Sequence, residues 1–125
     1  MAKLPFRKLK IGPHKWEVKF APLNDEDTRG RKYRKELAAS GKHATFFGEA
    51  DFEATLIRLN SNLKEEILGE VLLHECLHVI IDECNLRKQI KAADEEQVVQ
   101  CMAASLLQVF RDNPKLLDVI TNKQK

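Results

Sequence analysis

The sequence has no hydrophobic stretch approaching the ~20 residues that a membrane-spanning helix needs. Its first residues, Met1 to Lys8, are basic and lack the apolar segment of a secretory signal peptide. The three cysteines are an odd number and form no Cys-x-x-Cys pair, which argues against a disulfide framework. We therefore expect a cytoplasmic protein with free thiols and no membrane span.

The sequence also lacks internal repeats, low-complexity tracts and linkers that would divide it. Its 125 residues, 43% of them hydrophobic, are enough to bury one core without disulfides. We therefore expect a single domain over residues 1–125. Nothing in the sequence indicates the oligomeric state.

The net charge is only +2, but it is unevenly distributed. Residues 1–43 carry 12 basic and 5 acidic side chains, whereas residues 44–125 carry 9 and 14. The densest basic run is residues 29–35. Such a run is compatible with contact to nucleic acid or an acidic partner, although a solvated surface is the more common explanation.

The most informative stretch is Val71 to Ile80, where His74-Glu75-x-x-His78 lies in an otherwise apolar run. On an α-helix the two histidines are one turn apart on one face, about 6 Å along the axis, and can share a metal. Glu75 is then close enough to reach a water molecule on that metal. Random shuffling of this composition gives about 0.009 such motifs per chain. Buried imidazoles and carboxylates are unfavourable unless paired or ligated, so we favour a zinc site over two core histidines bonded to carbonyl groups.

The periodicity of apolar residues predicts strands followed by helices. Trp16, Val18 and Phe20 alternate with charged residues, which predicts a strand from His14 to Pro22. Residues 44–59 are typical of a hairpin whose turn is Gly48 to Asp51 and whose second arm runs from Phe52 to Leu59.

Three helices are predicted in the rest of the chain. Asn62 with Glu65 resembles a capping box, so the motif helix should run from there to about Cys84. A second helix should begin between Lys91 and Asp94 and end at Asp112, and a short third one should span Lys115 to Ile120. The fold class is α+β: a small antiparallel sheet packed on a motif helix buried on nearly all sides and on the second helix.

A catalytic zinc site normally has three protein ligands and one open position. Asp82 cannot be the third, because it lies eight residues beyond His74, about 12 Å along the helix, while metal–ligand bonds are about 2 Å. The candidates are acidic residues at the start of the second helix, Asp94, Glu95 and Glu96. Glu96 lies at the flank of the apolar arc, whereas Glu95 falls in its middle, where a buried carboxylate needs a partner, and this favours Glu95 as the ligand. An acidic first turn is also stabilised by the helix dipole and needs no metal.

Val71 to Ile80 resembles the extended motif of the zincin metallopeptidases, in which uncharged residues surround His-Glu-x-x-His. Glu96 to Leu107 resembles the glutamate helix of the small ImmA/IrrE-type metallopeptidases, although Val99 and Met102 replace the small and aromatic residues usual there. The chain also looks like compact metallopeptidases encoded by phages and mobile elements. The resemblance covers residues 44–114.

This resemblance implies a minimal zincin-like domain that binds Zn²⁺ through His74, His78 and Glu96, with Glu95 as the second choice. Glu75 is then the catalytic general base in the hydrolysis of a peptide bond. The implied substrate is a cytoplasmic protein or peptide, since ImmA-type members are thought to cut a regulator or partner protein. In zincins the substrate chain adds as a strand to the sheet edge beside the metal, here the sheet of residues 44–59.

Two alternatives stay open. A zincin-fold binding or adaptor protein with little hydrolysis is suggested by the absence of a specificity segment, although Glu75 argues against it. A nucleic-acid-associated protein is suggested by residues 29–35 alone. By residue type, the candidates for an oxyanion donor are Tyr33, His14 and His43, and those for contact with a substrate are Phe46, Phe47 and Phe52, which are more commonly core residues.

Overall fold

A computed structural model describes residues 3–23 and 47–122. These residues form strands β1 (Lys8–Ile11), β2 (His14–Ala21), β3 (Gly48–Asp51) and β4 (Leu56–Asn60), and helices α1 (Glu65–Glu83), α2 (Ala92–Asp112) and α3 (Leu116–Ile120). A 3₁₀ turn, Leu86–Lys88, joins α1 to α2. The predicted α+β class is confirmed. Within the described ranges, no helix is long and apolar enough to cross a membrane.

The four strands form one sheet in the order β1-β2-β4-β3. β1 pairs with β2, and β3 with β4, in antiparallel orientation, whereas β2 and β4 run parallel with Val18 opposite Ile57. The prediction of an antiparallel sheet is therefore wrong, because this sheet is mixed. Alternation along a strand shows which side chains are buried, but it carries no information about the direction of the neighbouring strand.

Strand β2 ends one residue before the predicted Pro22, and its Trp16 and Val18 are buried as expected. The turn of the predicted hairpin is wrong, because Gly48–Asp51 is strand β3 and the turn spans residues 52–55. In that turn the N–H of Ala54 donates to Asp51 Oδ1 at 3.1 Å. Of the first predicted arm, residues 44–47, the first three lie outside the described residues.

Helix α1 packs across one face of the sheet. Val71, Glu75 and Val79 are spaced four residues apart and are all buried, so this stripe of the helix faces inward. The buried cluster between sheet and helix consists of Trp16, Val18, Ile57, Leu59, Leu63, Val71 and Val79. Ile80 and Asp82 are exposed, so the motif helix is not buried on nearly all sides.

The predicted capping box at the start of α1 is absent. Helix α1 begins after Lys64, whose side chain makes no capping hydrogen bond, and the N–H of Asn62 donates to Asn60 Oδ1 at 3.0 Å. The acidic first turn, Glu65 and Glu66, still interacts favourably with the helix dipole.

The predicted ends of the later helices agree with the structure to about one residue. Helix α1 stops at Glu83, and Asn85 follows in the left-handed region at φ +58°. The chain then turns back, so that α2 packs against α1. This packing places the first turn of α2 beside the His-Glu-x-x-His motif.

Candidate metal centre

His74 and His78 lie one turn apart on the face of α1 that meets α2. Their ring centroids are 4.9 Å apart, and their Nε2 atoms are 3.2 Å apart. The predicted stacking of the two imidazoles on one face is therefore confirmed. The two Nε2 atoms point to a common position, which is the arrangement that two histidine ligands of one metal require.

Glu96, in the first turns of α2, reaches both histidines. Its Oε1 lies 2.8 Å from His74 Nε2, and its Oε2 lies 3.0 Å from His78 Nε2. Among the described residues, these three side chains form a group that could hold a metal ion, because one ligand atom of each lies within 4.8 Å of the other two. Glu96 is 37% exposed, whereas the histidines are 20% and 14% exposed, so the cluster opens to solvent on the Glu96 side.

Glu95 contacts the cluster from behind His78, on the side opposite the two Nε2 atoms. It is 7% exposed, and its Oε2 lies 2.6 Å from His78 Nδ1, the other ring nitrogen. Its Oε1 accepts a hydrogen bond from Arg87 at 3.0 Å. The helical wheel is therefore right that Glu95 is buried and has a partner, but its preference for Glu95 over Glu96 in the cluster does not agree with the structure. The partners of Glu95 are His78 Nδ1 and Arg87, and Glu96 is the glutamate whose oxygens lie beside the two Nε2 atoms.

Charge and burial change the pKa values of the cluster. Hydrogen bonds to His74 and His78 hold the pKa of the Glu96 carboxyl well below its usual range. Burial alone would lower the pKa of His78, but hydrogen bonds to Glu96 and Glu95 outweigh it and raise that pKa to about 8. In the metal-free protein, Glu96 is therefore an anion that is shared by two imidazoles.

Glu75 lies in the inward stripe of α1 and is 6% exposed. Burial raises the pKa of its carboxyl group to about 7, against the smaller lowering effects of His74 and His78. No hydrogen bond to this carboxylate is found among residues 3–23 and 47–122. A carboxyl group in such surroundings exchanges a proton readily near neutral pH.

Strand β3 reaches Glu75 through a glycine. A Cβ at Gly48 would lie 3.2 Å from the Cγ of Glu75, from Val71 Cγ1 and from the carbonyl oxygen of Arg58. The sequence suggested a turn at Gly48, but the glycine permits close packing of β3 on α1. The edge strand of the described sheet is therefore directly beside the motif carboxylate.

The remaining candidates are elsewhere. His14 is paired with Glu83 at 2.9 Å and is not part of the cluster. Phe47 and Phe52 are 46% and 37% exposed, so the core role that is more common for phenylalanine is wrong for both. The other named candidates lie outside the described residues, namely Tyr33, His43, Phe46 and residues 29–35.

Arg87 is the residue of the site that the sequence did not suggest. It lies in the 3₁₀ turn between α1 and α2, where an arginine is usually a surface residue. Its contact with Glu95 depends on how the two helices pack, so no local sequence pattern indicates it.

Comparison of the sequence with protein-family models and with curated proteins, and of the structure with solved structures, finds no match. Function must therefore be inferred from the chemistry of the site itself.

Proposed function

We propose that this protein is a zinc-dependent metallopeptidase in which His74, His78 and Glu96 hold the metal and Glu75 is the general base. The observation that carries the proposal is the convergence of three ligand atoms from two helices beside a buried motif carboxylate. The proposal includes a minimal zincin-like fold of the kind found in ImmA/IrrE-type and phage-encoded enzymes.

The donor set and its spacing fit zinc. Two imidazole nitrogens and one carboxylate oxygen are a common ligand set of catalytic zinc, which keeps a fourth position for water or substrate. With metal–ligand bonds of about 2.0–2.1 Å, neighbouring ligand atoms of a tetrahedral site are about 3.3 Å apart. The corresponding separations here are 2.8, 3.0 and 3.2 Å, so small side-chain movements suffice.

Peptide hydrolysis requires a group that accepts a proton from water and returns it to the leaving amine. When bound, zinc would lower the pKa of water and polarise the substrate carbonyl. Glu75 accepts the water proton as the water oxygen bonds to the carbonyl carbon. It then donates that proton to the amide nitrogen as the C–N bond breaks. The pKa of about 7 holds for Glu75 without metal, and a dication bound beside this carboxyl group would lower it.

The substrate that best suits the geometry is an extended peptide. Strand β3 is at the end of the strand order within the described sheet, and its Gly48 touches Glu75. A peptide that adds to this edge would form backbone hydrogen bonds and pass close to the general base. We place the protein and its substrate in the cytoplasm because the three cysteines are free.

The test combines metal analysis with an activity assay on the full chain. The wild-type protein should contain one zinc ion per chain and should cleave an unfolded protein or a mixture of quenched fluorescent peptides. Glu75→Gln should retain the zinc and lose cleavage, because only the proton acceptor is removed. Glu70→Gln is the matched control, since Glu70 is exposed on the same helix, and it should leave both unchanged.

Each other outcome has a defined meaning. Zinc with no cleavage of any unfolded substrate would replace the peptidase proposal with the adaptor alternative. A protein without zinc would remove both proposals. Cleavage that survives Glu75→Gln would show that a different group transfers the proton.

A further inference from the structure

His78 uses both of its ring nitrogens. Its Nε2 faces His74 and Glu96, while its Nδ1 lies 2.6 Å from Glu95 Oε2. An ionised carboxylate can only accept a hydrogen bond, so Nδ1 must carry the hydrogen in this contact. Nε2 faces Glu96 in the same way at 3.0 Å, so a metal would bind there by replacing the hydrogen on Nε2, while Nδ1–H stays bonded to Glu95.

Glu95 is itself held in place. It is 7% exposed, and its second oxygen accepts a charge-assisted hydrogen bond from Arg87 at 3.0 Å. The guanidinium group of Arg87 also lies 3.3 Å from Asp82 and 5.3 Å from the centre of the Phe52 ring. Arg87 therefore connects the end of α1, the start of α2 and the turn between β3 and β4.

The described part of the chain gives the second histidine no such support. His74 Nε2 contacts Glu96 and His78, but no hydrogen bond to its Nδ1 is found within residues 3–23 and 47–122. The contact with Glu95 is thus specific to one of the two imidazoles. A change at Glu95 should act on His78 and leave His74 as it is.

We infer that Glu95 is a positioning residue that fixes the tautomer and ring orientation of His78, and that Arg87 holds Glu95 for this role. The inference rests on the proposed zinc site for its consequence in metal binding. Carboxylates that accept a hydrogen bond from a metal-binding histidine typically change metal affinity 10–100-fold when they are removed.

Zinc affinity of the full chain, measured by competition with a chromophoric chelator, is the first test. Glu95→Gln is nearly isosteric and should weaken zinc binding by about 10–100-fold. Asp94→Asn is the matched control, because it removes the same charge from the exposed neighbouring position of α2. It should change the affinity less than about fivefold. Equal effects of the two substitutions would overturn the inference, since they would indicate a general charge effect.

Arg87 provides a second, independent test. If it acts through Glu95, Arg87→Gln should weaken zinc binding less than Glu95→Gln and should have no further effect in the Glu95→Gln background. Additive losses would show that Arg87 acts by another route. Arg87 is 42% exposed, so Arg87→Gln should leave the fold intact. It therefore remains a usable test even if Glu95→Gln prevents folding.

The tautomer can be measured without zinc by ¹⁵N NMR of the histidine rings above pH 9. In a Glu96→Ala background, which removes the carboxylate that competes for a hydrogen on Nε2, His78 should be protonated at Nδ1 and should become a mixture of tautomers when Glu95→Gln is added, while the tautomer of His74 is the same in both proteins. An unchanged His78 spectrum would refute the inference even if the wild-type protein binds zinc. The expected spectra, together with a wild-type protein that binds no zinc, would refute the proposed function and leave the positioning role standing.

Discussion

Gly48 lies against Glu75 so closely that an added Cβ would be 3.2 Å from the Cγ of the carboxylate side chain. The contact joins β3, the last strand in the order of the described sheet, to the motif helix α1 at the position of the proposed general base. A separation of 3.2 Å is tighter than ordinary van der Waals contact, so any side chain at position 48 must displace one of its neighbours.

The first prediction concerns this contact. Gly48→Val should force β3 away from α1 or shift Glu75, and overpacking of this kind costs about 1–3 kcal/mol in the free energy of unfolding. Displacement of a reacting group by about 1 Å can reduce turnover on the order of 100-fold, so kcat/KM should fall while zinc stays bound. Urea unfolding, metal analysis and peptide cleavage measure the three quantities.

Gly69→Ala is the control for the Gly48 substitution. Gly69 lies in α1, and an added Cβ there meets no atom within 4 Å. This change should stabilise the helix by up to about 1 kcal/mol and leave cleavage unchanged. If Gly48→Val keeps full activity, the proposed approach of a substrate along β3 to Glu75 is wrong.

The second prediction separates the two adjacent glutamates. Glu96→Gln removes the carboxylate that lies 2.8 and 3.0 Å from the two Nε2 atoms, so it should weaken zinc binding more than about 100-fold. Glu95→Gln should have the smaller effect given above. Zinc competition assays on both proteins decide the matter. Should Glu96→Gln retain full affinity while Glu95→Gln loses zinc, the assignment of the third ligand is off by one residue.

The third prediction is the pH dependence of stability without metal. Burial raises the pKa of Glu75 from 4.5 to about 7. The pKa of His78 also rises, from 6.5 to about 8, because its hydrogen bonds outweigh burial. Both groups bind protons more tightly in the folded protein than in the unfolded chain. Their contribution to the free energy of unfolding is therefore complete below the pKa values of the unfolded chain, 4.5 and 6.5, and is lost as the pH rises through 7 and 8. Because the pKa of Glu96 is lowered, its contribution to the free energy of unfolding changes only below about pH 4.5 and is constant at higher pH.

The free energy of unfolding with EDTA should therefore decrease between about pH 5 and 8.5, by on the order of a few kcal/mol. With zinc the trend should reverse, because the ligands must lose protons before they bind metal. Urea titrations at several pH values, with EDTA and with zinc, measure both trends. Glu75→Gln should flatten part of the metal-free curve. A metal-free protein that becomes more stable over this range would contradict the assigned proton sites.

The fourth prediction tests the packing of α1 independently of metal. Burial raises the pKa of the Cys76 thiol to about 11, and the charge of Glu75 adds to the rise. Cys84 and Cys101 are exposed. At pH 8, iodoacetamide should therefore modify Cys76 roughly 100-fold more slowly than the other two, because the thiolate is the reacting form. Mass spectrometry of the labelled peptides measures the rates, and similar rates at all three sites would contradict the placement of Cys76.

Local periodicity was sufficient for much of the helical half. The spacing of His74 and His78 places both rings on one face whatever the rest of the chain does, and the apolar arc of α2 defines its ends to about one residue. These features depend on neighbours within one or two helical turns. The metal role of the two histidines and Glu96 is a further step, and it stays a prediction.

Other features depend on which elements meet, and no local pattern contains that information. The parallel pairing of β2 with β4 joins residues about 39 positions apart, such as Val18 and Ile57. Gly48 was interpreted as a turn residue because glycine is common in turns, whereas its reason here is the approach of α1. The choice between Glu95 and Glu96 needed the rotation of α2 about its axis, which only the packed helices define.

The most direct test of the central claim is anomalous diffraction at the zinc absorption edge from crystals of the protein grown with zinc. We expect one strong peak about 2.0–2.1 Å from Nε2 of His74 and of His78, with a Glu96 oxygen at about 2.0–2.2 Å. No peak between these three side chains, or a peak bound by Glu95 in place of Glu96, would contradict it.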